Sequence, residues 1–326
     1  MKFKKLLASS LVRKEHIVKR RTIIIVLLST IIIASPIMLY FYKQHSLVQP
    51  EELHLNGDGV YFNIFTEDSR GEDTTGTLKN IGDDTVLYAS IQNAGKNRYM
   101  QLTGYLDYQE IPLTFLSEEY NTDNIYLEDG ENIIIPFKLD ADISSNENHK
   151  FLISLFWGTD LHESDTKLKT NNYSLSYDFF IQNTQASDYN LNIETNTSYT
   201  LCNLDFPSIM INTDFDENAD GVKLPPPEIN AKAGSTVNLA YRIGQIGAAD
   251  SQLLIVTLNY HQTQINNADY LLVDTEASKT AYGTLALTAP SEKGLYEICA
   301  LVVPDPTKPN DFLPLENAYR FTLNVI

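Results

Sequence analysis

The sequence predicts a mainly β protein, with two tandem antiparallel β-sandwich domains that follow one N-terminal transmembrane helix. Three observations support this fold class. One apolar run near the N-terminus is long enough to cross a bilayer. After it, short segments alternate apolar and polar residues with period two, and turns rich in Gly, Pro and Asn separate them. About 280 residues lie beyond the apolar run, which is enough for two domains of ordinary size.

The first element is a basic tail, residues 1–21, with eight Lys or Arg and a single acid, Glu15. Residues 22–42, TIIIVLLSTIIIASPIMLYFY, carry no charge, and as a helix they would measure about 30 Å. The positive-inside rule then places the tail in the cytoplasm and the rest of the chain outside. A cleaved signal peptide and a buried core helix are the alternatives. The length of the run, and Pro36 directly after Ala34-Ser35, favour an uncleaved single-pass signal-anchor.

The next elements are a short stalk, residues 43–52, and two β-sandwich domains, residues 53–184 and 188–326. The polar segment QNTQASDYN, residues 182–190, marks the boundary. Within the domains, alternating apolar residues predict strands with one buried face. Examples are Phe151, Ile153, Leu155 and Trp157 in the first half and Leu254, Val256, Leu258 and Tyr260 in the second.

The two halves share four features in the same order, which indicates a tandem repeat. Residues 79–111 align with residues 231–265, and a strand ends in each at Leu106-Asp107-Tyr108 or Leu258-Asn259-Tyr260. HKFLISLFWGTD (149–160) aligns with GLYEICALVVPD (294–305). Each half then closes on one further strand.

This pattern resembles tandem immunoglobulin-like or fibronectin III-like domains of bacterial membrane-anchored surface proteins, over residues 52–326. The Cys…Trp…Cys pattern of antibody domains is absent, because Trp157 and the two cysteines lie in different halves. The resemblance implies a non-catalytic cell-surface interaction or scaffold protein with a protein or cell-wall glycan partner. A glycan- or cell-wall-binding module and an accessory subunit of an envelope enzyme complex are the alternatives. The preference for Lys in the tail and the abundance of Asn and Ile indicate a Gram-positive source.

Charge divides the chain in the same way. The whole chain carries −18, and residues 1–42 contribute +7, so the remainder carries about −25. An acidic extracellular part disfavours nucleic acid as a partner, because phosphates require Lys and Arg.

The sequence lacks the common catalytic motifs: there is no G-x-S-x-G elbow and no phosphate-binding glycine loop, and the six His lack metal-ligand spacing. We therefore expect no enzymatic activity.

The segment TDFDENADGVKLPPP, residues 213–227, contains the first half of a calcium-binding loop. Oxygens at positions 1, 3 and 5 and a carbonyl at position 7 converge on one ion in such loops. The final glutamate is displaced by one position and prolines exclude the exiting helix, so the segment is not an EF-hand. Two interpretations stay open, a structural Ca²⁺ site and an acidic linker. The predicted ligands are Asp214, Asp216, Asn218, Asp220, Val222 and Glu228.

Two cysteines, one His- and acid-containing cluster and several tyrosines are further candidates for functional roles. Cys202 and Cys299 can form one disulfide, although Cys299 alternates with core residues and can equally be a free thiol. The cluster His162-Glu163-Ser164-Asp165 is interpreted as a solvated loop. Several tyrosines of the first domain are interpreted first as cross-strand pairs and second as a binding surface. They are Tyr99, Tyr105, Tyr108, Tyr120 and Tyr126.

Overall fold

The computed structural model describes residues 57–67, 76–143, 147–167, 171–183, 199–214, 224–308 and 315–326, and these belong to one compact unit. They form twenty-one strands and one short helix, α1 at Glu163–Thr166, which confirms the predicted mainly β class. No helix within these ranges is long and apolar enough to cross a membrane. The basic tail, the predicted span at residues 22–42 and the stalk lie outside the described residues.

Ten strands form a first sandwich. In chain order they are β1 (Gly59–Thr66), β2 (Thr77–Lys79), β3 (Leu87–Ala94), β4 (Arg98–Leu106), β5 (Gln109–Ile111), β6 (Leu113–Phe115), β7 (Ile125–Leu127), β8 (Asn132–Leu139), β9 (His149–Trp157) and β10 (Ser174–Gln182). The outer sheet has the strand order β1-β3-β8-β6. The inner sheet has the order β2-β10-β9-β4-β5, with β7 paired to β4. The pair β2–β10 is parallel.

The other strands form a second sandwich. They are β11 (Tyr199–Cys202), β12 (Ile209–Asn212), β13 (Glu228–Ala231), β14 (Thr236–Gly244), β15 (Ser251–Leu258), β16 (His261–Gln262), β17 (Leu271–Asp274), β18 (Thr280–Thr288), β19 (Gly294–Pro304), β20 (Glu316–Asn317) and β21 (Phe321–Val325). The outer sheet has the order β11-β18-β14-β12. The inner sheet has the order β13-β21-β19-β15-β16, with β17 paired to β15 and β20 to β19. Here the parallel pair is β13–β21.

Each sandwich has its own apolar core between its two sheets, as the period-two pattern predicts. In the first sandwich Leu87, Ala89 and Ile91 of β3 point inward and share a core with Met100 and Leu102 of β4. A separate core lies between the sheets of the second sandwich. The predicted domains are 53–184 and 188–326; residues 53, 184 and 188 lie outside the described ones, and these domain limits stay a prediction.

The strand order shows that the two sandwiches are repeats. The outer-sheet order β1-β3-β8 recurs as β12-β14-β18, and the inner-sheet order β2-β10-β9-β4-β5 recurs as β13-β21-β19-β15-β16. Pairing of the strands also corrects the sequence alignment. Leu106 lies opposite Phe151, whereas Leu258 lies opposite Ile298. Phe151 therefore corresponds to Ile298, two residues away from the match made on the sequence alone.

The inner sheets of the two sandwiches pack against each other through a third apolar core, and the sequence did not reveal this. Its buried members are Tyr105, Tyr108, Leu152, Phe156, Tyr173, Leu253, Ile255, Tyr260, Leu272, Cys299, Leu301 and Val303. We call this set the junction core. Both faces of each inner sheet are thus buried, which explains why β9 is buried at eight successive positions. Strands covered on both faces are expected to be nearly continuous in apolar residues.

Candidate functional site: a pocket at the junction of the sandwiches

A cavity of about 610 Å³ opens where the two sandwiches meet, and we call it the junction pocket. It is lined by the start of β1, the β3–β4 turn, the end of β9 with the loop after it, the start of β10 and the residue before β21. Its size lies in the range of small-ligand sites. The lining residues are Asp58, Gly59, Val60, Lys96, Asn97, Arg98, Trp157, Gly158, Asp160, Leu161, Asn172, Tyr173, Leu175 and Arg320.

Arg98 fixes the turn that forms one wall of the pocket. Its guanidinium is buried and donates to the carbonyl oxygens of Ala94 and Lys96 at 2.9 and 3.2 Å. It also forms an ion pair with Asp58. Burial lowers the pKa of Arg98, and the charge of Asp129 opposes this effect. A buried cation needs such partners, because the cost of its desolvation is otherwise several kcal/mol.

Arg320 joins the two sandwiches at the opposite wall. It is 3% exposed, and its guanidinium donates to the Gly158 carbonyl at 3.2 Å and to the Tyr260 hydroxyl at 3.3 Å. It also lies 5.9 Å from the centre of the Tyr173 ring, within the range of a cation–π contact. Burial works against its charged form, but Tyr260 and the acids around it raise the pKa of Arg320 overall.

Two buried carboxylates lie behind Arg320. Glu163 is fully buried, and its Oε2 is 3.6 Å from Arg320 Nε. Glu297 is 1% exposed, and its Oε1 accepts from the Thr322 hydroxyl at 2.6 Å and from the Glu163 amide at 3.2 Å. His162 Nδ1 lies 3.2 Å from the same oxygen. The interpretation of residues 162–165 as a solvated loop is therefore wrong, because helix α1 brings Glu163 into the junction.

A second cleft, of about 540 Å³, lies elsewhere along the junction, where β5 and β16 meet. Glu110 and Gln262 occupy equivalent positions of the repeat, and each accepts a hydrogen bond from the backbone N–H of the other. His261 Nδ1 lies 2.7 Å from Glu110 Oε1, and its Nε2 lies 3.7 Å from Asp123. The hydrogen bond to Glu110 raises the pKa of His261, although burial lowers it in part.

The predicted calcium ligands are only partly within the described residues. Asp216, Asn218, Asp220 and Val222 lie outside them. Asp214 is exposed, and Glu228, in β13, accepts a hydrogen bond from the Asn324 amide at 2.9 Å. Among the residues that the structure does describe, no three His, Cys, Asp or Glu side chains are grouped so that they could hold a metal ion. Calcium binding stays a prediction.

Both cysteines are free thiols in the structure. Cys202 is half-buried in β11 of the outer sheet, whereas Cys299 points from the inner sheet into the junction core. The two side chains therefore belong to different layers, and the disulfide left open by the sequence is not formed. Burial raises the pKa of Cys299 above that of an ordinary thiol.

The tyrosines of the first sandwich divide into buried and exposed groups. Tyr105 and Tyr108 are fully buried in the junction core. Tyr99 and Tyr126 lie opposite each other on β4 and β7, with ring centres 4.9 Å apart, and each is 39% exposed. The Asn97 amide donates to the Tyr126 hydroxyl at 2.8 Å. This exposed pair therefore adjoins the junction pocket, which Asn97 lines.

No protein-family model matches the sequence, and no curated protein matches it. Among solved structures, the chain is similar to the CARDB domain of the PF1109 protein from Pyrococcus furiosus in complex with di-metal ions, with 18% identity and a TM-score of 0.24 over 43% of this chain and all of that chain. It is similar to PapD-like domain 7 of human CEP192, with 9% identity and a TM-score of 0.24 over 43% of this chain and 98% of that chain.

A third similar structure is the C-terminal domain of the AgI/II polypeptide BspA from Streptococcus agalactiae. The identity is 7% and the TM-score 0.21, over 82% of this chain and all of that chain. With TM-scores this low, the fold assignment rests on the strand pairing of the chain itself.

Proposed function

We propose that this protein is a single-pass, membrane-anchored scaffold that holds two immunoglobulin-like sandwiches outside the cell as one rigid, non-catalytic interaction module. The observation that carries the proposal is the junction core. Domains joined only by a linker move relative to each other, whereas a large apolar interface fixes their orientation. A fixed orientation allows a surface made by both sandwiches to act as one binding site.

Polar contacts across the junction support this role, because they specify one arrangement of the sandwiches. Thr103 of β4 donates to the Tyr260 carbonyl at 3.2 Å, and the Tyr173 hydroxyl donates to the Ala318 carbonyl at 2.7 Å. Apolar contact alone is not directional, whereas hydrogen bonds restrict the register of the two sheets. The chain beyond residue 42 is acidic. Acidic domains are soluble and attract divalent cations, and this supports the proposed extracellular location.

The location is tested by labelling with a membrane-impermeant maleimide on intact cells that express the full chain. Cys202→Ser removes the half-buried thiol, and the exposed Ser291 or the tail residue Ser10 is then changed to Cys. We expect Ser291→Cys to react on intact cells and Ser10→Cys to react only after permeabilisation. The reverse pattern, or reaction of both only after permeabilisation, would exclude an extracellular module.

The interaction role is tested by crosslinking intact cells and purifying the full chain from their envelopes. We expect one partner to be enriched reproducibly over a strain that lacks the chain. Repeated purification with no enriched component would contradict the scaffold role, even where the labelling experiment has placed the sandwiches outside.

We further propose that residues 213–228 bind one structural Ca²⁺ ion. The D-x-N-x-D-G pattern supports it, and extracellular modules of this kind bind with Kd of about 10⁻⁴–10⁻³ M. Millimolar Ca²⁺ is expected to raise the thermal unfolding midpoint of the full chain, and Asp216→Ala with Asp220→Ala is expected to abolish the increase. An equal midpoint with Ca²⁺ and with chelator would identify the segment as an acidic linker.

A further inference from the structure

The junction pocket combines an aromatic, apolar interior with an exposed polar rim. Val60, Trp157 and Leu175 are half-buried and Tyr173 is fully buried, whereas Asn97, Asp160 and Asn172 at the rim are exposed. Ligand pockets in general have this composition, with apolar walls and a few polar groups that orient the ligand. Amide and carboxylate groups at the rim can exchange hydrogen bonds with hydroxyl groups in several directions.

The exposed pair Tyr99 and Tyr126 extends this surface beyond the pocket mouth. The Tyr99 carbonyl accepts a hydrogen bond of 2.8 Å from the Gly158 amide, and Gly158 lines the pocket. Asn97 links the rim to the Tyr126 hydroxyl. The pocket and the tyrosine pair are thus adjacent, which brings two aromatic regions close together. Exposed tyrosines beside a pocket are typical of binding surfaces, since they supply contact area at a low entropic cost.

The charges around the pocket disfavour an anionic ligand. The guanidinium of Arg98 is paired with Asp58, and Lys96 lies 3.5 Å from the same carboxylate. Arg320 is balanced by Glu163 and by the nearby Glu297. Each buried cation therefore already has its counter-charge, and Asp160 adds a negative charge at the rim. A phosphate or carboxylate ligand would have to displace these partners, whereas an uncharged polar ligand would not.

We propose that the junction pocket and the Tyr99–Tyr126 pair bind a neutral saccharide. One sugar ring occupies the pocket with a C–H face against the aromatic interior, and its hydroxyl groups bond to Asp160 and Asn172. The next ring lies against the two tyrosines. This inference names a ligand for the proposed extracellular module and so rests on that location. The maleimide labelling reports the location independently of any sugar binding.

The test is binding of the purified full chain to immobilised saccharides, in a detergent that carries no sugar headgroup. The probes are neutral oligosaccharides, such as chitotriose and cellotriose, and acidic oligosaccharides of the same length. Two variants address the site, Asp160→Ala with Asn172→Ala and Tyr99→Ala with Tyr126→Ala. The matched control is Asp142→Ala with Asn132→Ala, since both residues are exposed and lie outside the pocket.

We expect a neutral oligosaccharide to bind, with a Kd at least tenfold higher in both site variants and unchanged in the control. The unfolding midpoints of the Asp160→Ala with Asn172→Ala variant and of the control are expected to match the wild type, because the residues changed are exposed. The Tyr99→Ala with Tyr126→Ala variant also loses the contact between the two rings, so its binding is measured well below its own midpoint. No binding of any neutral saccharide, binding to acidic saccharides only, or equal loss in the control variant would each overturn the proposal.

Discussion

Gly244 shows how a single residue permits the second sandwich to close. A Cβ atom on this glycine would lie 1.7 Å from the carbonyl oxygen of Phe206. The obstacle is backbone and cannot rotate away, so the segment before β12 must shift to admit any side chain. The packing of this segment on the outer sheet therefore depends on glycine at this position.

We predict that Gly244→Ala lowers the free energy of unfolding by roughly 1–3 kcal/mol, as overpacking commonly does. Urea unfolding of the full chain measures the change. Gly82→Ala is the matched control, since nothing lies within 4 Å of its added Cβ. Equal midpoints for the two variants would show that the segment near Phe206 moves freely.

His261 gives the junction a pH dependence. The folded state raises its pKa through the hydrogen bond to Glu110, with the charges of Glu110 and Asp123 adding to the effect. A raised pKa means that the stabilisation is fully present below the unfolded pKa of about 6.5 and is lost as pH rises through the folded pKa. The contribution is therefore largest at acidic pH and falls as the pH rises.

The corresponding prediction concerns His261→Asn. The difference in thermal midpoint between wild type and this variant is expected to be larger at about pH 5.5 than at about pH 8.5. Differential scanning calorimetry on the full chain measures both. A difference that is independent of pH would mean that the imidazole contributes only through packing or neutral hydrogen bonds.

At the residue scale, the sequence did not predict the site, because Glu163 and Glu297 are buried by packing between the two sandwiches. Glu163 follows His162 in a polar stretch, and local composition favours a loop. Glu297 lies inside the apolar run LYEICALVV, and a charge in such a run is a signal that it has a buried partner. Arg98 and Arg320 are two of only four arginines beyond the tail. Because arginine is rare in this part of the chain, the sequence singles out both residues, but it does not show that they line the same pocket.

At the scale of elements, the two hairpins that end β4 and β15 have the same construction. Both central residues of each turn have positive φ: 48° and 66° for Asp107 and Tyr108, and 48° and 68° for Asn259 and Tyr260. Two-residue turns of this type match the right-handed twist of the paired strands. The side chain of the first turn residue also accepts a backbone N–H from the adjacent strand, from Lys150 at 2.9 Å and from Glu297 at 2.8 Å.

We predict that Asn259→Ala destabilises the chain more than Asn259→Gly does. Both lose the bond to the Glu297 amide, worth about 1 kcal/mol. Alanine also carries the cost of the left-handed conformation, roughly 1–2 kcal/mol, which glycine avoids. Chemical unfolding of both variants gives the order. A variant with Ala as stable as the one with Gly would show that the turn changes its conformation without loss.

The alternating pattern correctly predicted which face is buried in the outer-sheet strands. In the inner-sheet strands it predicted only one of the two buried faces. In an outer strand such as β3, one face meets the core and the other meets solvent, so period two identifies the buried side. In β19, Ile298 and Ala300 point into one core, and Cys299 and Leu301 point into the junction core. A face that the sequence marks as outward is here buried against the other sandwich.

At the scale of the whole molecule, the repeat was readable from the sequence, whereas the packing between the repeats was not. Matching features in the same order in two halves indicate a shared fold, because each feature is a local pattern that the sequence shows directly. The interface forms between surfaces that are distant in sequence. In the sequence, the tyrosines and polar residues that make it look like ordinary strand residues. The anchor and the calcium segment lie largely outside the described residues, so those two predictions await their experiments.

The junction core also implies that the two sandwiches unfold together. Leu301 of β19 is fully buried in the junction core, and its truncation to Ala is expected to cost about 2–5 kcal/mol. The only tryptophan, Trp157, lies in the first sandwich, whereas Leu301 belongs to the second. The fluorescence of Trp157 therefore reports on the unfolding of the first sandwich.

In urea, Leu301→Ala is expected to lower the midpoint seen by Trp157 fluorescence and by far-ultraviolet circular dichroism equally. Leu285→Ala, in the core of the second sandwich itself, is expected to do the same if the coupling is complete. A Trp157 midpoint that stays at the wild-type value while circular dichroism shows an earlier transition would mean that the sandwiches unfold independently, and the rigid-module proposal would then fail.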